Sequence, residues 1–222
     1  MTAWQTFLST QGAIFNEGVV QSFGQAQVEL QAAGQQNILA DLSHLGILEI
    51  SGEDAVTFLQ GQVTNDIKQL NGNSSQYAGY CTPKGRLLAL FLAFAHTDHI
   101  HLQMPAEIIE PIMKRLKMYV MRSKVTITDR SSDILCFGLA GQNADKQIQR
   151  LFQQYPNTLH DLITLEHATL LRLPGALPRF EIFTNAAHAE EIWQGLTKDA
   201  LQVGKPVWDW LEIQAGIPEV VP

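Results

Sequence analysis

The sequence has few cysteines and no long apolar run, and each of these absences excludes a class of protein. Two cysteines in 222 residues, Cys81 and Cys136, are too few for a disulfide framework, and their spacing matches no metal motif. The longest apolar run, from 87 to 95, has nine residues, whereas a membrane helix needs roughly 20. We therefore expect reduced thiols in a cytoplasmic protein that is not embedded in a membrane.

Composition, net charge and the N-terminal residues further restrict the class of protein. Charged residues make up 17% of the chain and hydrophobic residues 45%, which is typical of a globular protein. A net charge of -7 argues against a strong general nucleic-acid-binding surface. The first ten residues lack a basic segment and a long apolar run, so we expect no signal peptide.

The segment from 51 to 66 combines a predicted helix with a polar turn. Ser51 is a favourable N-cap, and Asp54 follows three residues later, close to a capping box. Apolar residues at helical spacing follow, and then polar side chains that can hydrogen-bond a flat heterocycle or simply end the helix. These polar residues are Gln60, Gln62, Thr64, Asn65 and Asp66.

The next segment predicts a β-hairpin. Residues 77–81 and 87–94 are apolar or aromatic runs of strand length, and Pro83 and Gly85 supply turn chemistry between them. Such a turn would place Lys84 and Arg86 next to Tyr80 and Cys81, near the polar turn.

Four segments together carry a family resemblance. They are Phe-Leu-Gln-Gly-Gln-Val-Thr-Asn-Asp at 58–66, Tyr-Cys-Thr-Pro-Lys-Gly-Arg-Leu at 80–87, Met-Tyr-Val-Met-Arg-Ser-Lys-Val-Thr-Ile at 118–127, and Trp-Asp-Trp-Leu-Glu-Ile-Gln-Ala-Gly-Ile-Pro at 208–218. In this order they resemble the folate-binding YgfZ family, part of the wider group built on the glycine-cleavage T-protein (aminomethyltransferase) fold. The resemblance covers about residues 40–218.

The resemblance implies an α+β fold with mixed or antiparallel sheets, flanking helices and a cavity for tetrahydrofolate or a derivative. Trp208 would stack on the folate, unless it merely packs in the core, and basic side chains would favour its glutamate tail. The family also implies a role in maintaining iron–sulfur enzymes, including those that modify tRNA, and such an enzyme as partner. The implied folate-binding residues are Trp208, Gln214, Gln60, Gln62, Asn65, Asp66, Tyr80, Lys84, Arg86 and Arg122.

The chain departs from the family patterns at several positions. T-proteins carry acidic residues after the hairpin turn where this chain has Ala89 and Leu90, and a glutamate in an Arg-x-Glu-Ala-Gly pattern where it has Gln214. Family members can carry an aromatic residue where it has His44. The family's Lys-Gly-Cys-Tyr-Thr-Gly-Gln-Glu segment and C-terminal β-barrel do not follow, so we expect the N-terminal two-thirds of such a protein.

These departures favour a folate-binding protein over an enzyme. Ala89 and Leu90 cannot donate, accept or carry charge. A folate-dependent one-carbon transferase of the aminomethyltransferase type is the second hypothesis, and an interaction scaffold with a vestigial pocket is the third.

Two further clusters of side chains allow alternative interpretations. His99 and His101 share a strand face and form a pair that can bind metal, but a solvated strand explains them as well. Six of the fifteen basic residues lie between 114 and 130. They form either a solvated helix face or an anion site that would suit a folate tail or an RNA phosphate.

We predict three parts of the chain. They are a loosely packed, glutamine-rich N-terminal extension over 1–36, an α+β subdomain from 37–50 and 133–222, and a second α+β subdomain over 51–132.

Overall fold

The computed structural model describes residues 1–96 and 98–220, which form two compact units. The first unit combines residues 1–44 with 133–217, and the second combines 45–132 with 218–220. Each unit contains one large β-sheet with helices packed on it, so the predicted α+β class with mixed and antiparallel sheets is confirmed. Among the described residues, no helix is both long and apolar enough to cross a membrane.

The first unit is built on a six-stranded mixed sheet. Its spatial order is β10 (Leu162–Thr164), β11 (Thr169–Arg172), β12 (Arg179–Thr184), β9 (Leu135–Ala140), β3 (Ile38–Asp41) and β13 (Leu201–Val203). All neighbours are antiparallel except β3 and β13. A separate hairpin joins β1 (Ile14–Asn16) and β2 (Val19–Ser22).

Five helices complete the first unit. They are α1 (Ala3–Thr10), α2 (Ala26–Ala32), α5 (Ala144–Phe152), α6 (Ala186–Leu196) and α7 (Lys205–Gln214). One face of the sheet, with Phe137, Leu139 and Phe180, forms an apolar core with α1, α5 and α6. α7 packs on the other face, where Trp208 meets Gly138.

The second unit is built on a five-stranded antiparallel sheet. Its order is β5 (Ser75–Cys81), β6 (Leu87–His96), β7 (His99–Pro105), β4 (Leu45–Ser51) and β8 (Thr126–Asp129). The predicted hairpin is therefore β5–β6. Two helices, α3 (Ala55–Gln60) and α4 (Ile109–Val120), cover one face and bury an apolar core with Leu48, Phe91 and Leu102. Short 3-10 helices lie at Ile67–Gln69 and Ala106–Ile108.

The prediction that residues 1–36 pack loosely is wrong. Trp4 and Leu8 of α1 are buried in the core of the first unit, and Trp4 stacks on Phe137 with ring centroids 5.0 Å apart. The Trp4 Nε1–H also donates to Asp41 Oδ1 at 2.8 Å. The prediction failed because it weighed the many glutamines and overlooked that apolar residues between them face one core.

The predicted helix cap at Ser51 is also wrong. Ser51 ends β4 and pairs with Thr126, and the N-cap of α3 is Asp54. Gly52 makes the turn between them with φ +110°, where a Cβ atom would collide with the carbonyl oxygen of Lys124. A capping-box pattern therefore coincided here with a strand end.

The boundary between the units lies after His44 rather than after residue 50. β4 pairs with β7 and β8, which are both strands of the second unit. Because those ladders include every residue from Leu45 to Ser51, β4 forms part of that sheet.

Candidate ligand-binding site

One face of the first unit's sheet carries charged side chains beneath α7. Arg179 and Glu181 alternate with the core residue Phe180 along β12, so both project away from the apolar core. Glu181 lies opposite Gly138 of β9, and both Arg179 and Glu181 are buried. Charged residues are almost never fully buried without a partner, which makes this face the strongest candidate for a site.

Gly138 creates the space in which α7 lies. A Cβ atom at Gly138 would approach the Trp208 ring to 2.5 Å, well inside van der Waals contact. Glycine at this position therefore lets the indole lie directly on the strand. The α7 backbone is held at its start by Glu29, whose Oε2 accepts the Gly204 N–H at 3.0 Å.

Arg179 is the centre of the candidate site. It is 1% exposed, and its Nη2 donates to Glu212 Oε1 at 2.6 Å. Its guanidinium carbon lies 4.9 Å from the Trp208 ring centroid, in cation–π range. Within the described residues, its Nε and Nη1 have no hydrogen-bond acceptor. Buried donors without acceptors cost free energy, so a ligand that supplies an acceptor would recover it.

Glu212 adds an acceptor beside these donors. Burial raises the pKa of Glu212 above its usual value, although the Arg179 guanidinium opposes that shift. Its Oε2 accepts no well-aligned hydrogen bond within the described residues, although the nearby Trp208 indole also lowers its pKa. Arg179 and Glu212 together thus present N–H donors next to a carboxylate acceptor, the complement of a lactam edge with adjacent C=O and N–H groups.

The two residues of α7 that are predicted to bind folate differ in their exposure to solvent. Trp208 is 1% exposed and packs on Gly138 and Arg179, whereas Trp210 is exposed, so the two indoles do not share a buried face. Gln214 is exposed at the end of the helix. The packing of Trp208 accounts for its burial, and stacking of Trp208 on a folate stays a prediction.

His44 is half-buried near the start of α7. Burial and the neighbouring Lys205 ammonium lower the pKa of His44 to about 3, so the imidazole is neutral at physiological pH. Its Nδ1 has no hydrogen-bond partner within the described part of the chain. A neutral imidazole is thus present where the resembled family can carry an aromatic ring.

The polar turn of the second unit uses several of its side chains for its own structure. Gln60 Oε1 accepts the Ile67 N–H at 2.9 Å, and Asp66 Oδ1 accepts the Lys68 N–H at 3.1 Å. Gln62 is half-buried and Asn65 is exposed. Capping of the 3-10 helix at Ile67–Gln69 therefore explains Gln60 and Asp66. Contact of these four side chains with a folate stays a prediction.

The remaining predicted residues of the second unit are one buried tyrosine and three exposed cations. Tyr80 is buried beside Phe91, and burial raises its pKa, although the nearby Arg115 guanidinium opposes the shift. Lys84 and Arg86 are exposed in the hairpin turn, and Arg122 is exposed after α4. Their roles toward a folate tail also stay predictions.

Sequence reasoning did not identify Arg179 and Glu212 as site residues. The available signal was the alternation Arg-Phe-Glu-Ile-Phe at 179–183, which places two charges on one side of a strand with an apolar opposite side. Glu212 comes 33 residues later on a helix, and no local spacing connects it to Arg179.

The predicted histidine pair lies beside a carboxylate. His99 Nδ1 and His101 Nε2 are 3.2 and 3.4 Å from Glu49 Oε2. Among the described residues, no group of three or more His, Cys, Asp or Glu side chains could hold a metal ion. Burial lowers the pKa of His101 to about 4, although Glu49 opposes the shift.

Known proteins match most of this chain. Residues 9–206 match the family model of the GCVT N-terminal domain. A tRNA-modifying protein YgfZ from Colwellia psychrerythraea is 32% identical over 184 residues, or 82% of this chain and 56% of that protein. The YgfZ protein of Sodalis glossinidius is 29% identical over 82% of this chain and 55% of its own length.

A solved structure agrees with the fold. The glycine cleavage system aminomethyltransferase T from Bartonella henselae has a TM-score of 0.85 at 17% identity, covering 96% of this chain and 62% of that chain. The predicted T-protein-like fold and the resemblance to YgfZ proteins are therefore confirmed. The chain spans little more than half the length of these YgfZ relatives. Because the family model covers most of its residues, the chain belongs to the family of the GCVT N-terminal domain.

Proposed function

We propose that this chain binds tetrahydrofolate or a derivative, with the pterin ring held at Arg179 and Glu212 in the first unit. The observation that carries this proposal is the buried guanidinium, whose Nε and Nη1 have no acceptor in the described residues. The pterin ring of a folate carries a lactam C=O and N–H side by side. The C=O would accept from Arg179, and the N–H would donate to Glu212.

A ligand would reach the candidate site from solvent at Glu212. Its side chain is 24% exposed, whereas the Arg179 side chain is buried. A ligand that first meets the Glu212 carboxylate would reach the guanidinium after a small displacement of the α7 end. A ligand N–H donor would stabilise the Glu212 carboxylate, which burial disfavours.

Folate as the ligand class follows from the family resemblance of the four sequence segments. The Bartonella protein is an aminomethyltransferase of the glycine cleavage system, and the YgfZ relatives are tRNA-modifying proteins. We infer a role connected with tRNA modification, together with the iron–sulfur enzyme partner and the cytoplasmic location expected from the resemblance. Binding rather than one-carbon transfer is favoured because Ala89 is fully buried in β6 and has no titratable group.

Calorimetric titration with reduced tetrahydrofolate tests the proposal. The wild-type chain should bind with a Kd in the micromolar range, about -8 kcal/mol. Arg179→Lys keeps the charge but loses the planar donors, so it should weaken binding at least about tenfold. Arg172→Lys is the matched control, because Arg172 lies on the neighbouring strand over Phe180, and its affinity should equal that of the wild type. Equal affinities of the wild type and Arg179→Lys would contradict the proposal.

A further inference from the structure

The C-terminal end of α4 in the second unit carries an exposed patch that combines cations with apolar side chains. We call it the α4 patch, and its members are the half-buried Arg115 and the exposed Lys117, Met118, Tyr119, Met121 and Arg122. We propose that this patch binds single-stranded RNA, with the cations contacting phosphates and Tyr119 stacking on a base.

Charge around the patch has one sign. The chain carries fifteen basic and 22 acidic residues, yet positions 111–128 include five basic residues and no acidic residue. Of the five, Lys114 pairs with Glu110 and Lys124 with Glu53. Lys117 and Arg122 form no ion pair within the described residues. An acidic protein that keeps unpaired cations together presents a local site for a polyanion.

The apolar members of the patch are unusually exposed. Met118 is 67% exposed and Met121 is 88% exposed. Met121 has φ +45° and ψ -104°, a strained conformation for a residue other than glycine. Helix-dipole stabilisation explains a lysine in the last turn, but it does not explain exposed methionines beside it. Adaptable apolar side chains do suit the faces of unpaired bases.

An arginine and two tyrosines organise the centre of the patch. The Arg115 guanidinium lies close enough to the buried Tyr80 hydroxyl to oppose the rise in its pKa that burial causes, so this cation lies beside the tyrosine. Tyr119 lies one helical turn after Arg115, and its side chain is close enough to influence Tyr80. Arginine and tyrosine one turn apart share a helix face. A phosphate at Arg115 would therefore bring a base to Tyr119.

Single-stranded RNA fits this surface better than a duplex. Stacking requires a base whose face is free, and this is how proteins recognise unpaired RNA. A duplex offers phosphates without free base faces, so it would use the cations and leave Tyr119, Met118 and Met121 without a partner. The acidic remainder of the chain would repel any ligand that extends far beyond the patch.

Fluorescence anisotropy with a labelled 12-nucleotide single-stranded RNA at several salt concentrations tests the inference. The double variant Lys117→Gln/Arg122→Gln should weaken binding about tenfold or more at low salt. It should also reduce the salt slope by about 1.4, because each lost phosphate contact removes about 0.7. Tyr119→Ala should weaken binding about tenfold, whereas Tyr119→Phe, which keeps the ring, should bind like the wild type.

The control is Lys146→Gln/Lys198→Gln, which removes two exposed lysines of the first unit. This variant should bind the RNA like the wild type, and equal thermal midpoints would show that all variants are folded. Three results would overturn the inference. The first is no RNA binding at low salt, and the second is an RNA affinity of the Lys117→Gln/Arg122→Gln variant equal to that of the wild type. The third is RNA binding that Tyr119→Ala leaves unchanged and that heparin displaces equally from the wild type and from this variant. The titration contains no folate, so its failure leaves the proposal for the first unit unaffected.

Discussion

Single residues decide the geometry of the candidate site. Gly138 admits the Trp208 ring, the ring lies beneath the Arg179 guanidinium, and the guanidinium pairs with Glu212. The position of Arg179 therefore depends on that of the Trp208 ring, which in turn depends on the space at Gly138. A change as small as one methyl group at Gly138 should therefore alter the site without touching a charged residue.

Gly138→Ala tests this dependence. Its Cβ atom would lie 2.5 Å from the Trp208 ring, so the indole must move and Arg179 loses its cation–π contact. We expect a loss of about 1–3 kcal/mol of unfolding free energy and at least about tenfold weaker tetrahydrofolate binding. Urea denaturation and calorimetry measure the two effects. Gly61→Ala, where a Cβ atom would make only ordinary contacts, should leave binding unchanged.

His101 should make stability depend on pH. Burial holds its folded pKa at about 4, below the ordinary value of 6.5, so the unfolded chain takes up the proton first. The stabilisation is complete above pH 6.5 and is lost as the pH falls toward 4, by up to about 3 kcal/mol at 1.36 kcal/mol per pKa unit.

Urea denaturation of the wild type and His101→Gln between pH 7.5 and 4 measures this contribution. The stability difference between them should change over that range, because glutamine does not titrate. The control is His167→Gln, which alters an exposed imidazole. A pH-independent difference between the wild type and His101→Gln would show that His101 is not held neutral in the folded state.

At the scale of elements, α1 belongs to the core of the first unit. Trp4 packs on Phe7, Phe137 and Trp193 and donates to the buried Asp41 carboxylate. Trp4→Ala should therefore cost about 3–5 kcal/mol of unfolding free energy, measured by urea denaturation. Trp210→Ala, at an exposed position of α7, should cost less than about 1 kcal/mol. A similarly small cost for Trp4→Ala would instead indicate a loosely attached N-terminal segment.

Local sequence patterns predicted many of the elements. The runs predicted as hairpin strands, 77–81 and 87–94, lie in β5 and β6, and the apolar residues predicted to form a helix after Ser51 lie in and just after α3. The prediction missed α1, α2, β1, β2, β10 and β13, because these segments are short, several are rich in glutamine or glycine, and their periodicity is weak. It also placed a helix cap at Ser51, where pairing with Thr126 extends the strand instead.

The candidate site was harder to predict than the fold. The sequence singled out Trp208 on α7, which lies beside Arg179. Arg179 and Glu212 were missed because they meet through tertiary packing of α7 on β12, and Gln60 and Asp66 looked available although they close their own turn. Residue types indicate what a side chain can bind, whereas the structure shows which hydrogen bonds are already made.

At the scale of the whole molecule, the two units have different charge. Residues 45–132 contain nine basic and eight acidic residues, although the whole chain has a net charge of -7. A pterin site in the acidic first unit and a polyanion site in the second unit are therefore separate claims with separate tests. The central one is that the first unit recognises the pterin end of a folate.

Calorimetric titration with a tetrahydropterin fragment, alongside 4-aminobenzoyl-glutamate, tests that claim most directly. The fragment retains the lactam edge and lacks the glutamate tail, and 4-aminobenzoyl-glutamate has the reverse. We predict that the tetrahydropterin binds the wild-type chain, competes with tetrahydrofolate and loses most of its affinity in Arg179→Lys, whereas 4-aminobenzoyl-glutamate binds far more weakly. Binding of 4-aminobenzoyl-glutamate alone, or tetrahydropterin binding that Arg179→Lys leaves unchanged, would contradict the assignment of Arg179 and Glu212 to the pterin.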